Sequence, residues 1–207
     1  MDVGLRERKK ARTRAAISAA AISMFLERGY DDVSVVEIAE AAEVSKRTLF
    51  AYFPTKDALV LHRFADHEDE SARVVRERGP VESPLAALHR DRRAALERYD
   101  PNSGLCDIPE VVDFHRLVRN TPSLSAALVG YGARSEAALA AALEEVVPGR
   151  LAARLAACQV VVVLRELVVE NQRRIVDGER AADLLTDALA ATDLAFDLLR
   201  GGLVPFR

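Results

Sequence analysis

Four consecutive residues, Ser45-Lys46-Arg47-Thr48, set a hydroxyl, an ammonium, a guanidinium and a second hydroxyl side by side. Donors of this kind suit a polymer of phosphates and base edges: arginine and lysine donate to guanine, and threonine bonds a phosphate or touches a thymine methyl. Tyr52, Thr55 and Lys56 follow closely. Apolar residues bracket the run, with Ile38, Ala39, Ala42 and Val44 before it and Leu49 after it. Ser45 reads as an N-cap, so the cations fall in the first turn of a helix, where free backbone amides also favour phosphates. The competing reading is a helical hairpin with a charged, solvated turn.

The elements around the run decide between these readings. Residues 5–28 lack proline and glycine, and Ile17, Ala20, Ala21, Met24 and Phe25 recur at helical steps, which predicts a helix closed by Gly29. Ser34 with Glu37 three residues on is a capping-box pattern, opening a helix to about Ala42. The Ser45 helix ends near Phe53, because Pro54 disfavours helix in the residue before it. Ile38, Ala42, Val44 and Leu49 then fall where two short helices lock together, and Ala39 where they approach most closely. A chain break there aims a polar helix end outward, the arrangement of a helix-turn-helix whose second helix enters the major groove.

Charge supports that reading. Residues 5–14 hold six cations (Arg6, Arg8, Lys9, Lys10, Arg12, Arg14) against one anion, Glu7, although the 207-residue chain has net charge -3. A basic arm on a mildly acidic body suits a polyanion. An anionic membrane is the rival partner, but the apolar face of the arm is alanine-rich and too weak for stable insertion. No glycine-rich phosphate loop, nucleophile elbow or metal signature is present, which argues against an enzyme.

Beyond Phe53 the sequence reads as helix throughout. A helix from Thr55 to about Arg78 is followed by Pro84–Tyr99, Ile108–Arg119, Leu124–Val147, Arg150–Val176 and Glu179–Leu199, separated by proline- and glycine-bearing breaks. The expected fold is all-α, about nine helices in total. A three-helix N-terminal domain, residues 1–60, precedes a larger helical domain, residues 61–207, for ligand binding and dimerisation. The last two helices are apolar on more than one stripe, so they bury surface on two sides, and a four-helix interface between two copies accounts for the second side. A thick monomeric core is the alternative. The N-terminus is charged and lacks a leader-like apolar run, and no apolar run approaches a membrane span, so the chain is expected to be cytoplasmic with both cysteines reduced.

Residues from about Arg6 to Val60 resemble the DNA-binding domain of the TetR family of transcriptional regulators. The resemblance rests on Phe25, Gly29 and Tyr30, the cap Ser34, Ile38-Ala39, Val44-Ser45, the aromatics Phe50, Tyr52 and Phe53, and Lys56. It implies a dimeric, ligand-responsive regulator, most often a repressor, bound to a palindromic duplex operator. An activator or a redox-sensing regulator of the same fold is the alternative. It also implies that Ser34 caps against a phosphate, that Ser45, Lys46, Arg47 and Thr48 face the groove, and that Tyr52 and Lys56 meet the backbone. Arg12 and Arg14 are expected to reach phosphates or the minor groove. Two positions depart from the family pattern. Glu43 stands where glycine is common in the turn, which strains the backbone if φ is positive there, and Phe50 replaces a frequent tyrosine.

For the second half the resemblance implies a small-molecule effector, weakly similar in pattern to acyl-type ligands, and no cofactor. Polar residues stranded on apolar helices are candidate contacts: His115, Tyr131, Gln159 and Arg165. Each has an ordinary alternative, such as a satisfied interior side chain or an ion pair. His62 and Asp66 share a helix face and could hold a divalent ion, but a solvated charged face is by far the better explanation. Cys158, within an apolar helix, reads as a packing residue; Cys106 is the better of the two as a sensor thiol, but nothing in the sequence places an activating base beside it, and an ordinary structural thiol is the stronger reading.

Overall fold

The computed structural model describes residues 3–65, 67–146 and 148–201. Among these the chain is helical, without strands. It forms α1 (Val3–Arg28), α2 (Val35–Ala41), α3 (Lys46–Tyr52), α4 (Lys56–Ala65), α5 (Glu70–Glu77), α6 (Pro84–Glu97), α7 (Pro109–Asn120), α8 (Pro122–Glu144), α9 (Arg150–Val176) and α10 (Ala181–Gly201), with one 3₁₀ turn, Pro101–Ser103.

The helix expected from Thr55 to Arg78 is two helices. After α4 the backbone turns through residues 67–69, and α5 starts at Glu70. Carboxylates are favoured in the first turn of a helix and disfavoured in its last, so the acidic run Glu68-Asp69-Glu70 suits a new start better than an interior. Asp66 lies outside the described residues, and among the described residues no group of His, Cys, Asp and Glu side chains could hold a metal ion.

The chain divides into two compact units. The first comprises Met1–Asp66 and Asp113–Val129. Its core is Ile17, Ala21, Ile22 and Phe25 of α1, Ile38 and Ala39 of α2, Leu49 of α3, and Leu59 and Val60 of α4. Phe114, Val118 and Leu124 from the remote segment complete it. Phe114 and Val118 are four residues apart on α7, hence on one face, and the Phe114 ring lies 5.6 Å from that of Phe64. Gly29 ends α1 at φ +94, and its N–H donates to the Phe25 carbonyl at 2.9 Å, a left-handed closure as expected.

The second unit comprises His67–Val112 and Gly130–Arg207. Helix α10 packs on α6 and α9, and α5 packs on α6. One apolar cluster runs through Ala72, Val75, Leu88, Leu139, Leu143, Ala157, Val160 and Phe196. Another gathers Leu96, Leu105, Val112, Ile175 and Leu184. Gly104, at φ +77, lets the 3₁₀ turn press onto α9: a Cβ there would stand 2.5 Å from the Val168 carbonyl oxygen.

Candidate nucleic-acid interface

The corner between α2 and α3 is built as its spacing indicates. Ile38, Ala39 and Leu49 are buried, and Ala42 and Val44 pack half-buried against the same core. Inside the corner, Ala42 donates to the Ile38 carbonyl at 3.0 Å and Val44 to the Ala39 carbonyl at 2.9 Å. This closure puts Glu43 at φ +55, the left-handed region that a side chain strains to enter.

Each short helix is opened by a side-chain cap. Ser34 accepts from the Glu37 N–H at 3.3 Å, and Glu37 accepts from the Ser34 N–H at 2.8 Å. Arg28 adds an ion pair to Glu37 at 2.7 Å. The backbone bond from Ser34, its hydroxyl and then Arg28 hold the Glu37 carboxyl down at about 2. Ser45 accepts from the Thr48 N–H at 3.0 Å and shares a 2.8 Å hydrogen bond with the Thr48 hydroxyl. Both hydroxyls are thereby fixed at the first turn of α3, and Lys46 and Arg47 are exposed beside them. Among the described residues neither forms an ion pair. Phe50 is also exposed.

A second tier lies behind this turn. Tyr52 is half-buried against the core of the first unit. Arg14 does not extend outward: its guanidinium lies over the Phe53 ring, 5.2 Å from the centroid, with a buried Nε. Arg12 is exposed. Lys56 also turns inward, donating to the Tyr30 carbonyl and lying 4.3 Å from the Tyr30 ring centroid and 5.2 Å from that of Phe25. The Tyr30 hydroxyl donates to Asp57, as does Ser123 at 3.0 Å. Burial, then the bond to Asp57, pushes the Tyr30 phenol well above its ordinary range. Sequence reasoning found Tyr30 and Lys56 but not Asp57 and Ser123, because nothing in the local pattern brings a residue near 123 to the start of α4.

Of the four residues marked for ligand contact, His115 falls in the first unit and Tyr131, Gln159 and Arg165 in the second. His115, half-buried in the first unit, has its imidazole lowered to about 4 by burial and then by Arg119. Tyr131, half-buried in the second, has its phenol pushed up to about 12, chiefly by burial. Gln159 is exposed on α9 and donates to the Leu155 carbonyl at 3.2 Å. Arg165 is exposed there too, paired with Glu166 at 2.9 Å. Cys158, read as a packing residue, is exposed, and Cys106 is buried. Cys106 sits beside the pressed-in 3₁₀ turn, whereas position 158 falls on the outer side of α9.

A short helical pair with an outward cationic turn, seated on a long first helix, defines a helix-turn-helix nucleic-acid-binding module. Residues 17–62 match the family of bacterial regulatory proteins named tetR. The chain is 36% identical over 134 residues to the transcriptional regulator TcmR of Streptomyces glaucescens, across 64% of this chain and 58% of TcmR. The match thus spans little more than half the length of that relative. In fold it is similar to NalD of Pseudomonas aeruginosa, the secondary repressor of a multidrug efflux pump (TM-score 0.58, 17% identity, 89% of this chain and 97% of NalD). It is also similar to Thermus thermophilus FadR, solved in complex with lauroyl-CoA (TM-score 0.50, 22% identity, 92% of this chain and 95% of FadR). Residues 17–62 thus carry the segment typical of the tetR family of bacterial regulatory proteins, and the chain as a whole is similar in fold to a structure described as a TetR-family regulator from Mesorhizobium loti (TM-score 0.54, 21% identity, 91% of this chain and 97% of that one). Among the described residues no helix is long and apolar enough to cross a membrane.

Proposed function

We propose that this protein is a dimeric, effector-responsive transcriptional regulator, acting as a repressor on a palindromic DNA operator. The observation that carries the proposal is the first turn of α3. Lys46 and Arg47 are exposed and unpaired among the described residues, beside hydroxyls fixed by capping, on a corner whose apolar residues are buried. The fixed hydroxyls lose little freedom on meeting a phosphate, and the capped start of α3 aims the two cations at base edges.

Lys46 and Arg47 are the base readers in this proposal, and Ser45, Thr48 and Tyr52 the phosphate contacts. Ser34 sits at the start of α2, where its hydroxyl meets Glu37 and reaches a phosphate only by turning from it. Arg12 is exposed on α1, as are Arg8, Lys9 and Lys10. Arg14 and Lys56 reach phosphate only by leaving Phe53 and the Tyr30 carbonyl, so their part is to brace the module until DNA arrives.

Two copies on a palindrome double the contact, and an effector releases them by binding best to the conformation that cannot span both half-sites. We assign the effector to a small hydrophobic or acyl-type class. Tyr131 in the second unit and His115 in the first are carried forward as contacts, each within its own unit. Gln159 and Arg165 fit an outer face of α9 better. Selection of random duplex DNA by the purified protein at physiological salt tests the reading. Enrichment of a palindrome with half-sites about one helical turn apart is expected. A folded dimer that enriches no sequence, with or without extraction of bound small molecules, overturns it.

A further inference from the structure

The buried face of α6 carries a charge where its pattern calls for a leucine. Leu88, Arg92 and Leu96 are four residues apart, hence on one stripe, and Arg92 is only 8% exposed. Leu88 belongs to one apolar cluster of the second unit and Leu96 to the other, so the guanidinium lies between them. Its neighbours on the outer side of α6 behave differently. Arg90 pairs with Glu82 at 2.9 Å and Arg93 with Asp193 at 2.5 Å. Among the described residues Arg92 has no carboxylate at ion-pair distance; Asp100, Asp91 and Glu70 act on it only from further away.

Nor are its donors used up. Of the five N–H groups of a guanidinium, one goes to the Ser103 carbonyl at 2.7 Å and one to the Asn102 carbonyl at 3.5 Å, the far limit of a hydrogen bond. The Nε is buried without any partner. A purely structural clamp on the 3₁₀ turn does not require this charge, because the Ser103 carbonyl also accepts from the Asn171 amide at 3.0 Å. A buried cation without a counter-ion costs several kcal/mol relative to an apolar side chain of similar size. Polar groups stand beside it: the Asn102 amide is exposed and lies 3.1 Å from Nε2 of the half-buried His67. The Arg92 head therefore lies just beneath a polar surface element, with apolar side chains on both flanks.

We propose that Arg92 is the counter-ion for an oxyanion head group, so that the effector is a small organic acid with an apolar body. A guanidinium fork with a free Nε matches a carboxylate or a phosphate monoester, bonding it through Nε and the adjacent Nη. The proposal rests on the effector-responsive reading, but its test does not need DNA.

Thermal unfolding of the full-length protein is followed with matched probes: straight-chain carboxylates from acetate to palmitate, alkyl phosphates, and the amides and alcohols of the same chains. The wild type is expected to be stabilised by at least one acid over its neutral counterpart, and the carboxylate and phosphate arms separate the two sources of the oxyanion. Arg92→Gln is expected to lose that preference, with affinity for the acid down about tenfold or more. Arg92→Met without probe is expected to melt no lower than the wild type, because it removes an uncompensated charge. No acid preference in the wild type, the same preference in Arg92→Gln, or a lower melting temperature for Arg92→Met overturns the proposal. Failure of both variants to fold makes Arg92 a structural residue and overturns it too. If instead the acid preference stands and the wild type selects no operator, the regulator reading falls and the oxyanion site survives.

Discussion

Glu43 occupies a backbone conformation that glycine adopts without strain. At φ +55 its Cβ crowds the neighbouring carbonyl, which costs about 1 kcal/mol or slightly more. Glu43 is exposed and makes no cap, so nothing visible offsets the strain. Glu43→Gly is therefore expected to stabilise the protein by about 0.5–1 kcal/mol in urea unfolding, the gain being cut by the greater entropy of glycine in the unfolded chain. A loss of stability would show that glutamate contributes something the backbone angle hides. Arg47 carries a different expectation, because it touches nothing that holds the fold. Arg47→Ala is expected to leave the melting temperature unchanged and to cost about 1–3 kcal/mol on the selected operator, with little loss on random duplex. Equal losses on both make Arg47 a phosphate contact and move base reading to Lys46. These residues were legible because caps, turns and cations act locally. Arg92 and Asp57 were not: position 92 shows as a core position only once α6 is packed, and Asp57 acquires Ser123 from far along the chain.

At the scale of elements, the α1–α2 corner and the start of α2 are held by one carboxylate. Glu37 accepts from the Ser34 backbone and receives Arg28, and its folded value of about 2 lies below the ordinary 4.5. The sign follows from linkage: a depressed carboxyl gives stability that is fully present above its unfolded value and is lost as pH falls towards its folded value. Glu37 thus makes the protein less stable as pH falls from about 4.5 to about 2. Glu37→Gln is expected to flatten that part of the stability profile while changing little near neutrality beyond the loss of the ion pair. A profile with the same slope in both proteins assigns the acid sensitivity elsewhere. The helix itself was readable because a capping box is written in residues three apart. The break between α4 and α5, and the membership of residues 113–129 in the first unit, were not readable. Both depend on tertiary choices: where an acidic run is best placed, and which core receives the Phe114-Val118 face. Helical periodicity identifies a buried side but not the partner that buries it.

For the whole molecule the open question is what covers α9 and α10. On α9, Leu151 is 66% exposed, Leu155 55% and Val169 50%, and on α10 Leu194 is 61% exposed. Positions 151, 155, 158, 162 and 169 follow steps of three, four and seven, the spacing of a packed helical seam, and the exposed Cys158 falls within it. Scattered apolar residues on a surface need no partner, whereas apolar residues at seam spacing along α9, with Leu194 exposed on the neighbouring α10, form a face that does. A second copy is the partner we propose, since a self-complementary face closes with two-fold symmetry and matches a palindromic site. Leu155→Glu combined with Leu194→Glu places carboxylates against apolar surface in a dimer but leaves them solvated in a monomer. The variant is therefore expected to sediment as a monomer with unchanged helical circular dichroism. It is also expected to bind the operator about a hundredfold or more weakly, while still binding an isolated half-site as the wild type does. The last comparison separates the two effects. Loss of half-site binding would mean that the substitutions damage the fold. A dimer that persists would mean that the stripe faces something else, and the pairing of two reading helices would have to be set by another surface.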